Sequence, residues 1–198
     1  WTEGIRVSVR NFYGALRVTE TGSAPDERVR RLYHGQTLHG SQFVAAARSR
    51  EATTYYGGLS GGGLALERKA GAKRRIGMIG LGVGTLACYG RPGDSIRFYE
   101  INPLVIELAR SEFRFLTQSQ AQVEVVPGDA RLALEQEAGQ EFDVLVIDAF
   151  SGDAIPTHLL TREAFALYFR RLKPDGLLAA HISNRYANLA PLLRKLAG

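Results

Sequence analysis

The chain has 198 residues, 45% apolar and 23% charged, proportions of one folded domain rather than a disordered segment. Its 25 Lys and Arg against 20 Asp and Glu give a net charge of +5, and its single cysteine, Cys88, excludes a disulfide framework and any multi-cysteine metal centre. No apolar run approaches the ~20 residues that cross a bilayer, no signal peptide is visible, and the 22 glycines exceed the usual ~7%.

In chain order, Ile5, Val7 and Val9 alternate with Arg6, Ser8 and Arg10, the period of a half-buried strand. Ala15 to Thr19 and Val29 to Tyr33 read as further strands, separated by turn chemistry at Gly22 to Asp26. This small antiparallel β unit is expected to end near His39-Gly40, with Arg28, Arg30 and Arg31 as a solvated strand face. Glu51 to Tyr56 and Leu64 to Lys69 look helical on either side of a glycine-rich stretch, Gly57 to Gly63.

From Arg75 a strand–loop–helix rhythm begins. Ile76 to Ile79, Ser95 to Tyr99, Val123 to Val126, Phe142 to Ile147 and Leu177 to Ile182 read as strands. Leu86 to Tyr89 begins a helix, and Leu104 to Phe115, Arg131 to Ala138 and Thr161 to Leu172 read as helices, the last closed by Lys173-Pro174-Asp175-Gly176. Apolar strands alternating with helices predict an α/β fold, a parallel sheet with helices on both faces.

Ligands of such sheets sit beyond the carboxyl ends of the strands. The first strand is followed by Gly80-Leu81-Gly82-Val83-Gly84, where missing side chains let a ligand approach the backbone. The second ends in Glu100, a carboxylate suited to both hydroxyls of a ribose; the third in Gly128-Asp129-Ala130, where Asp129 suits an adenine amino group; the fourth in Asp148. Each has a structural reading too: a tight turn, a charge on a helix dipole, an N-cap, a buried cap. Four in register point to a nucleoside-binding crevice, bordered by both glycine-rich loops. Thr85 stands where a dinucleotide fingerprint needs a third small residue, so the loop better suits an adenosylmethionine-type ligand. The expected division is a β unit over residues 1–50 and a nucleoside-binding domain over 51–198. The latter stops short of the sheet's far edge. The chain starts at Trp1 and ends just past a helical pattern, so it reads as a piece of a longer one.

The span from Thr54 to His181 resembles the spermidine synthase (polyamine aminopropyltransferase) family, a branch of the class I methyltransferase-like fold. The residues that carry this are Tyr55-Tyr56, Gly80 to Gly84, Glu100-Ile101-Asn102, Gly128-Asp129-Ala130 and Phe142-Asp143-Val144 leading to Asp148. Tyr55-Tyr56-Gly57 with Ser60-Gly61, and Asp148 to Pro156, are similar to a bacterial branch whose synthase-like domain follows a membrane-embedded region.

The resemblance implies aminopropyl transfer from decarboxylated S-adenosylmethionine to a small amine such as putrescine, without a metal. Asp148 takes the family's place of the base and Tyr55 that of the residue orienting the amine. Gly80, Gly82, Gly84, Glu100, Asp129 and Ala130 fall to the nucleoside, with Gln36 on the segment that covers it, and Tyr56, Ser151 and Asp153 to the acceptor. A homodimer is implied, cytoplasmic or tethered to the cytoplasmic membrane face. The chain departs from the family's acidic pattern at Val83, Ser151 and Gly57, which weakens putrescine as acceptor.

Two rival readings are an S-adenosylmethionine-dependent methyltransferase and a non-catalytic nucleoside- or polyamine-binding domain. A nucleic-acid partner is not expected, because the basic residues lack interleaved aromatics. His34 and His39 read as turn or cover residues, and His181 as facing the crevice or packing a helix.

Overall fold

The computed structural model describes residues 4–137, 139–149, 156–182 and 188–196. Four antiparallel strands come first: β1 (Ile5–Asn11), β2 (Gly14–Thr21), β3 (Val29–His34) and β4 (Thr37–Phe43), paired in that order. The alternation on β1 holds, with Ile5, Val7 and Val9 half-buried and Arg6, Ser8 and Arg10 exposed. β4 runs beyond the expected end at Gly40. Its inward residues Gly40, Ser41 and Gln42 are small or polar, so no apolar alternation betrays it. Gln42 donates to the Ser49 carbonyl at 2.7 Å and accepts from the Arg114 amide at 2.8 Å. Arg28, just before β3, is exposed as expected, whereas Arg30 and Arg31 on β3 are half-buried. Arg28 and Arg30 both bond Glu20, and Arg30 also reaches the Glu112 carbonyl.

A 3₁₀ turn over Thr54–Tyr56 and α1 (Gly61–Arg68) follow. The helix starts three residues earlier than its apolar pattern, because the Ser60 hydroxyl accepts from the Gly63 amide and caps it. Gly61 to Gly63 form its first turn, and none of Gly57 to Gly63 lines the cleft described below. A Cβ on Gly63 would lie 2.5 Å from the Gly57 carbonyl oxygen, so close backbone packing accounts for glycine there.

The second sheet contains β5 (Arg75–Ile79), β6 (Ser95–Glu100), β7 (Gln122–Pro127), β8 (Phe142–Ile147) and β9 (Leu172–Ala180), all parallel, in the order β7-β6-β5-β8-β9. Between them lie a 3₁₀ turn over Thr85–Tyr89, α2 (Pro103–Ser111), α3 (Phe115–Gln118), α4 (Ala130–Gln136), a 3₁₀ turn over Thr157–Leu159 and α5 (Arg162–Arg171); α6 (Ala190–Leu196) comes last. The helix expected over Leu104 to Phe115 is two, since α2 ends at Ser111 and α3 begins at Phe115. α5 stops at Arg171 as expected, but Lys173 to Gly176 are not a separate turn before the strand. They are a bulge within β9, whose register jumps from Phe142↔Leu172 to Val144↔Leu177.

All six residues of β8 are buried, as a central parallel strand requires. One apolar cluster joins Leu16, Val18 and Leu32 of the first sheet to Ile76, Met78, Phe98 and Val146 of the second. Another packs Leu145 and Ile147 against Phe165, Leu167 and Tyr168 of α5. Strand order reverses beside β5, with β6 and β7 on one side and β8 and β9 on the other, and there a class I methyltransferase-like sheet opens its crevice. No helix among the described residues is long and apolar enough to cross a membrane.

Candidate active site

A cleft of ≈ 490 Å³ lies at the carboxyl ends of the strands. Gly80 and Gly82 line it, with φ of +98° and +54°. A Cβ on Gly80 would lie 2.1 Å from the Asp148 carbonyl oxygen, and one on Gly82 would lie 2.7 Å from that of His39. The loop is thus wedged between the end of β8 and the backbone of β4, and only glycine fits either contact. Gly84 differs. It does not line the cleft, has φ of +81°, and packs where a Cβ would meet Leu116 at 2.7 Å. Val83 is buried at 1% exposure, with its methyls over Gly40, so the family's acidic loop position faces the core here.

Glu100, half-buried at the end of β6, accepts from the Leu81 amide at 3.0 Å and the Asn102 amide at 2.8 Å. Burial pushes its carboxyl above the ordinary value, against the opposing pull of the Asn102, Leu81 and Ile101 amides. Asp129 caps α4 by accepting from the Leu132 amide at 2.9 Å, and its other oxygen meets His158 Nε2 at 2.8 Å. The structural reading of Asp129 as an N-cap therefore holds, and the residue lines the cleft as well. Ala130, nearly buried, lies beside it on the cleft wall.

Asp148 follows β8, and its Oδ1 lies 2.7 Å from His181 Nδ1. The Tyr56 hydroxyl faces the same carboxylate and donates to the Tyr55 hydroxyl at 3.3 Å. Tyr55 is set by Thr54, a β-branched residue at φ +58°, a conformation that costs about 1–3 kcal/mol and is kept where surroundings impose it. The Tyr55 ring centroid is 4.4 Å from that of Tyr56 and 4.6 Å from that of His181. Burial, reinforced by the Asp148 charge, pushes the Tyr55 phenol up to about 12, and Tyr56 well above its usual value.

The structure thus brings together Tyr55, Tyr56, Gly80, Gly82, Glu100, Asp129, Ala130 and Asp148. It leaves Gln36 exposed at the β3–β4 turn, off the cleft wall. Ser151 and Asp153 lie outside the described residues. All four histidines, His34, His39, His158 and His181, border this cleft, and so does Tyr13 from the β1–β2 hairpin. Tyr13 and His158 went unread in the sequence. The available signals were the Asn11-to-Gly14 turn and the two-residue spacing from Pro156 to His158. Among the described residues, no group of three or more His, Cys, Asp and Glu side chains is arranged to hold a metal ion.

No protein-family model matches the chain. A polyamine aminopropyltransferase from Vibrio vulnificus is 35% identical over 112 residues, 54% of this chain and 37% of that protein. The spermidine synthase from Thermotoga maritima superposes over 98% of this chain and 63% of its own, with a TM-score of 0.69 at 17% identity. The fold is that of a spermidine synthase. A probable spermidine synthase from Corynebacterium glutamicum agrees, with a TM-score of 0.70 at 21% identity over 90% of this chain and 63% of its own. These structures bear on the fold: the antiparallel sheet and the parallel sheet are matched together. The chain spans 37% of the curated relative and 63% of each of the two solved structures.

Proposed function

We propose that this cleft belongs to an aminopropyltransferase that moves an aminopropyl group from decarboxylated S-adenosylmethionine to a small amine. The observation that carries the reading is one cleft lined by Glu100 and Asp129 together with Asp148, Tyr55 and Tyr56. Two carboxylates suit a nucleoside: one for ribose hydroxyls, one for an exocyclic amino group. The remaining carboxylate then stands where a nucleophile would be prepared.

The chemistry asks little more. An ammonium has no lone pair, so the acceptor first gives a proton to the Asp148 carboxylate. Its nitrogen attacks the carbon beside the sulfonium. The C–N bond forms, the C–S bond breaks with its electron pair going to sulfur, and methylthioadenosine leaves as a neutral thioether. The sulfonium is already activated, so the protein's part is proton removal and alignment. The Tyr55 and Tyr56 phenols stay protonated at neutral pH and serve as hydrogen-bond donors and aromatic walls. Putrescine-like amines are the acceptor class to try first, with longer and singly charged amines beside them, because Val83 and Gly57 replace two of the family's carboxylates.

The test is methylthioadenosine release from decarboxylated S-adenosylmethionine with a panel of amines. Wild type should turn over at least one amine. Asp148→Asn should lower kcat at least ~100-fold while methylthioadenosine still binds. Tight nucleoside binding with no release for any amine would overturn the reading. A tenfold calorimetric preference for the carboxylated cofactor, about 1.4 kcal/mol, would redirect it to methyl transfer.

A further inference from the structure

The residue that follows β9 touches the residue that follows β8. Val146 and Ile147 pair with Ala179 and Ala180, so Asp148 and His181 are the next pair in the same parallel register. The His181 amide donates to the Ile147 carbonyl at 2.9 Å, which continues the ladder by one bond and fixes the backbone of both. The side chains then meet at 2.7 Å, Nδ1 to Oδ1, in a part-buried setting. An ionised carboxylate only accepts, so the proton in that bond belongs to Nδ1.

We infer that His181 is a positioning residue for Asp148: its Nδ1–H holds Oδ1 and thereby fixes which face of the carboxylate is offered to the acceptor amine. The inference rests on the proposed reading of Asp148 as the base. Among the described residues, the other groups that face this carboxylate are the Tyr56 hydroxyl, the Tyr55 phenol and, from β4, the His39 imidazole. Three separate elements therefore converge on one carboxylate, and the Tyr55 ring, 4.6 Å from the imidazole, closes one side of the pair.

The test uses two replacements. His181→Asn keeps a nitrogen donor at the position of Nδ1, and His181→Leu keeps bulk without a donor. Leu should lower kcat/KM at least tenfold. Asn should restore it to within threefold, and both variants should bind methylthioadenosine within threefold of wild type. A Leu variant with wild-type turnover overturns the inference, and so does an Asn variant as poor as Leu. A readout free of turnover separates the two proposals. In a ¹⁵N long-range correlation spectrum, wild-type His181 should show a protonated Nδ1, and Asp148→Asn should change that tautomer. An Nε2–H tautomer in wild type overturns the inference even where the aminopropyl reading stands. No turnover of any amine by wild type overturns the aminopropyl reading, and the positioning role falls with it.

Discussion

Histidines crowd the cleft, yet they are not equivalent. His39 has a buried Nε2 with no partner among the described residues. Burial, with His34 nearby, pushes its imidazole down to about 4 from an ordinary 6.5, against a smaller upward pull from Asp148. The sign of the consequence is fixed. Between pH 6.5 and about 4 the unfolded chain binds a proton here that the folded chain refuses, so stability falls as pH falls through that window. Full development of the shift costs at most on the order of 3 kcal/mol. His39→Gln removes the titration. Its urea midpoint should drop less than that of wild type between pH 7.5 and 5, conditions chosen about the window. Equal drops in both proteins would refute the assignment. Residues of this kind divide by how readable they are. Glu100, Asp129 and Asp148 could be read because each closes an apolar strand, which places it at the sheet's carboxyl edge whatever the tertiary details. Tyr13 and His158 reach the cleft from a hairpin and a 3₁₀ turn, and no local pattern says how those fold back. Gln36 failed in the opposite direction, since the hairpin that carries it points its tip to solvent.

At the level of elements, the joint between β5 and β8 is where geometry tolerates least. Gly80 combines φ of +98° with a carbonyl 2.1 Å from where a Cβ would stand, whereas Gly128, at φ +123°, has nothing within 4 Å. Both alanine replacements meet backbone strain of about 1–3 kcal/mol, but only Gly80→Ala must also move the backbone of Asp148. Gly80→Ala should therefore be the more destabilising in urea, by at least about 1 kcal/mol, and should lose catalysis, while Gly128→Ala should keep measurable turnover. Equal losses at the two sites would show that the wedge against Asp148 is not what demands glycine. The same contrast explains which elements were legible. β8 announced itself with six residues that are buried in a row. β4 hid because its inward face is built for closeness and hydrogen bonds: Gly40 under Val83, and Gln42 bridging Ser49 and Arg114. The glycine-rich stretch before α1 looked like a second ligand loop, and only the 2.5 Å approach to the Gly57 carbonyl shows that its glycine serves packing.

For the whole molecule, a boundary at residue 50 divides two topologies but not two cores. Leu16, Val18 and Leu32 of the antiparallel sheet are 1%, 0% and 0% exposed inside a cluster that also holds Met78, Val83 and Phe98 of the parallel domain. Burial of each such side chain contributes roughly 1.5–3 kcal/mol. Three of them thus represent a large part of the about 5–15 kcal/mol that holds a domain folded. Further ties cross the same seam. The Asn11 side-chain amide donates to Asn102 Oδ1 at 2.7 Å, and the Arg6 guanidinium meets Glu112 at 2.8 Å. The antiparallel sheet is then both roof and foundation: it supplies Tyr13, His34 and His39 to the cleft and seals the core beneath it. A fragment beginning at residue 51 is accordingly expected to lose its cooperative urea transition and its binding of methylthioadenosine together. The full chain should show one transition by near- and far-ultraviolet circular dichroism, shifted upward by the nucleoside. A fragment that unfolds cooperatively at the full chain's midpoint, with nucleoside affinity intact, would establish that the parallel domain stands without its β unit. The shared cluster would then count for little, and the cleft's histidine-bearing roof could be exchanged without cost to the fold.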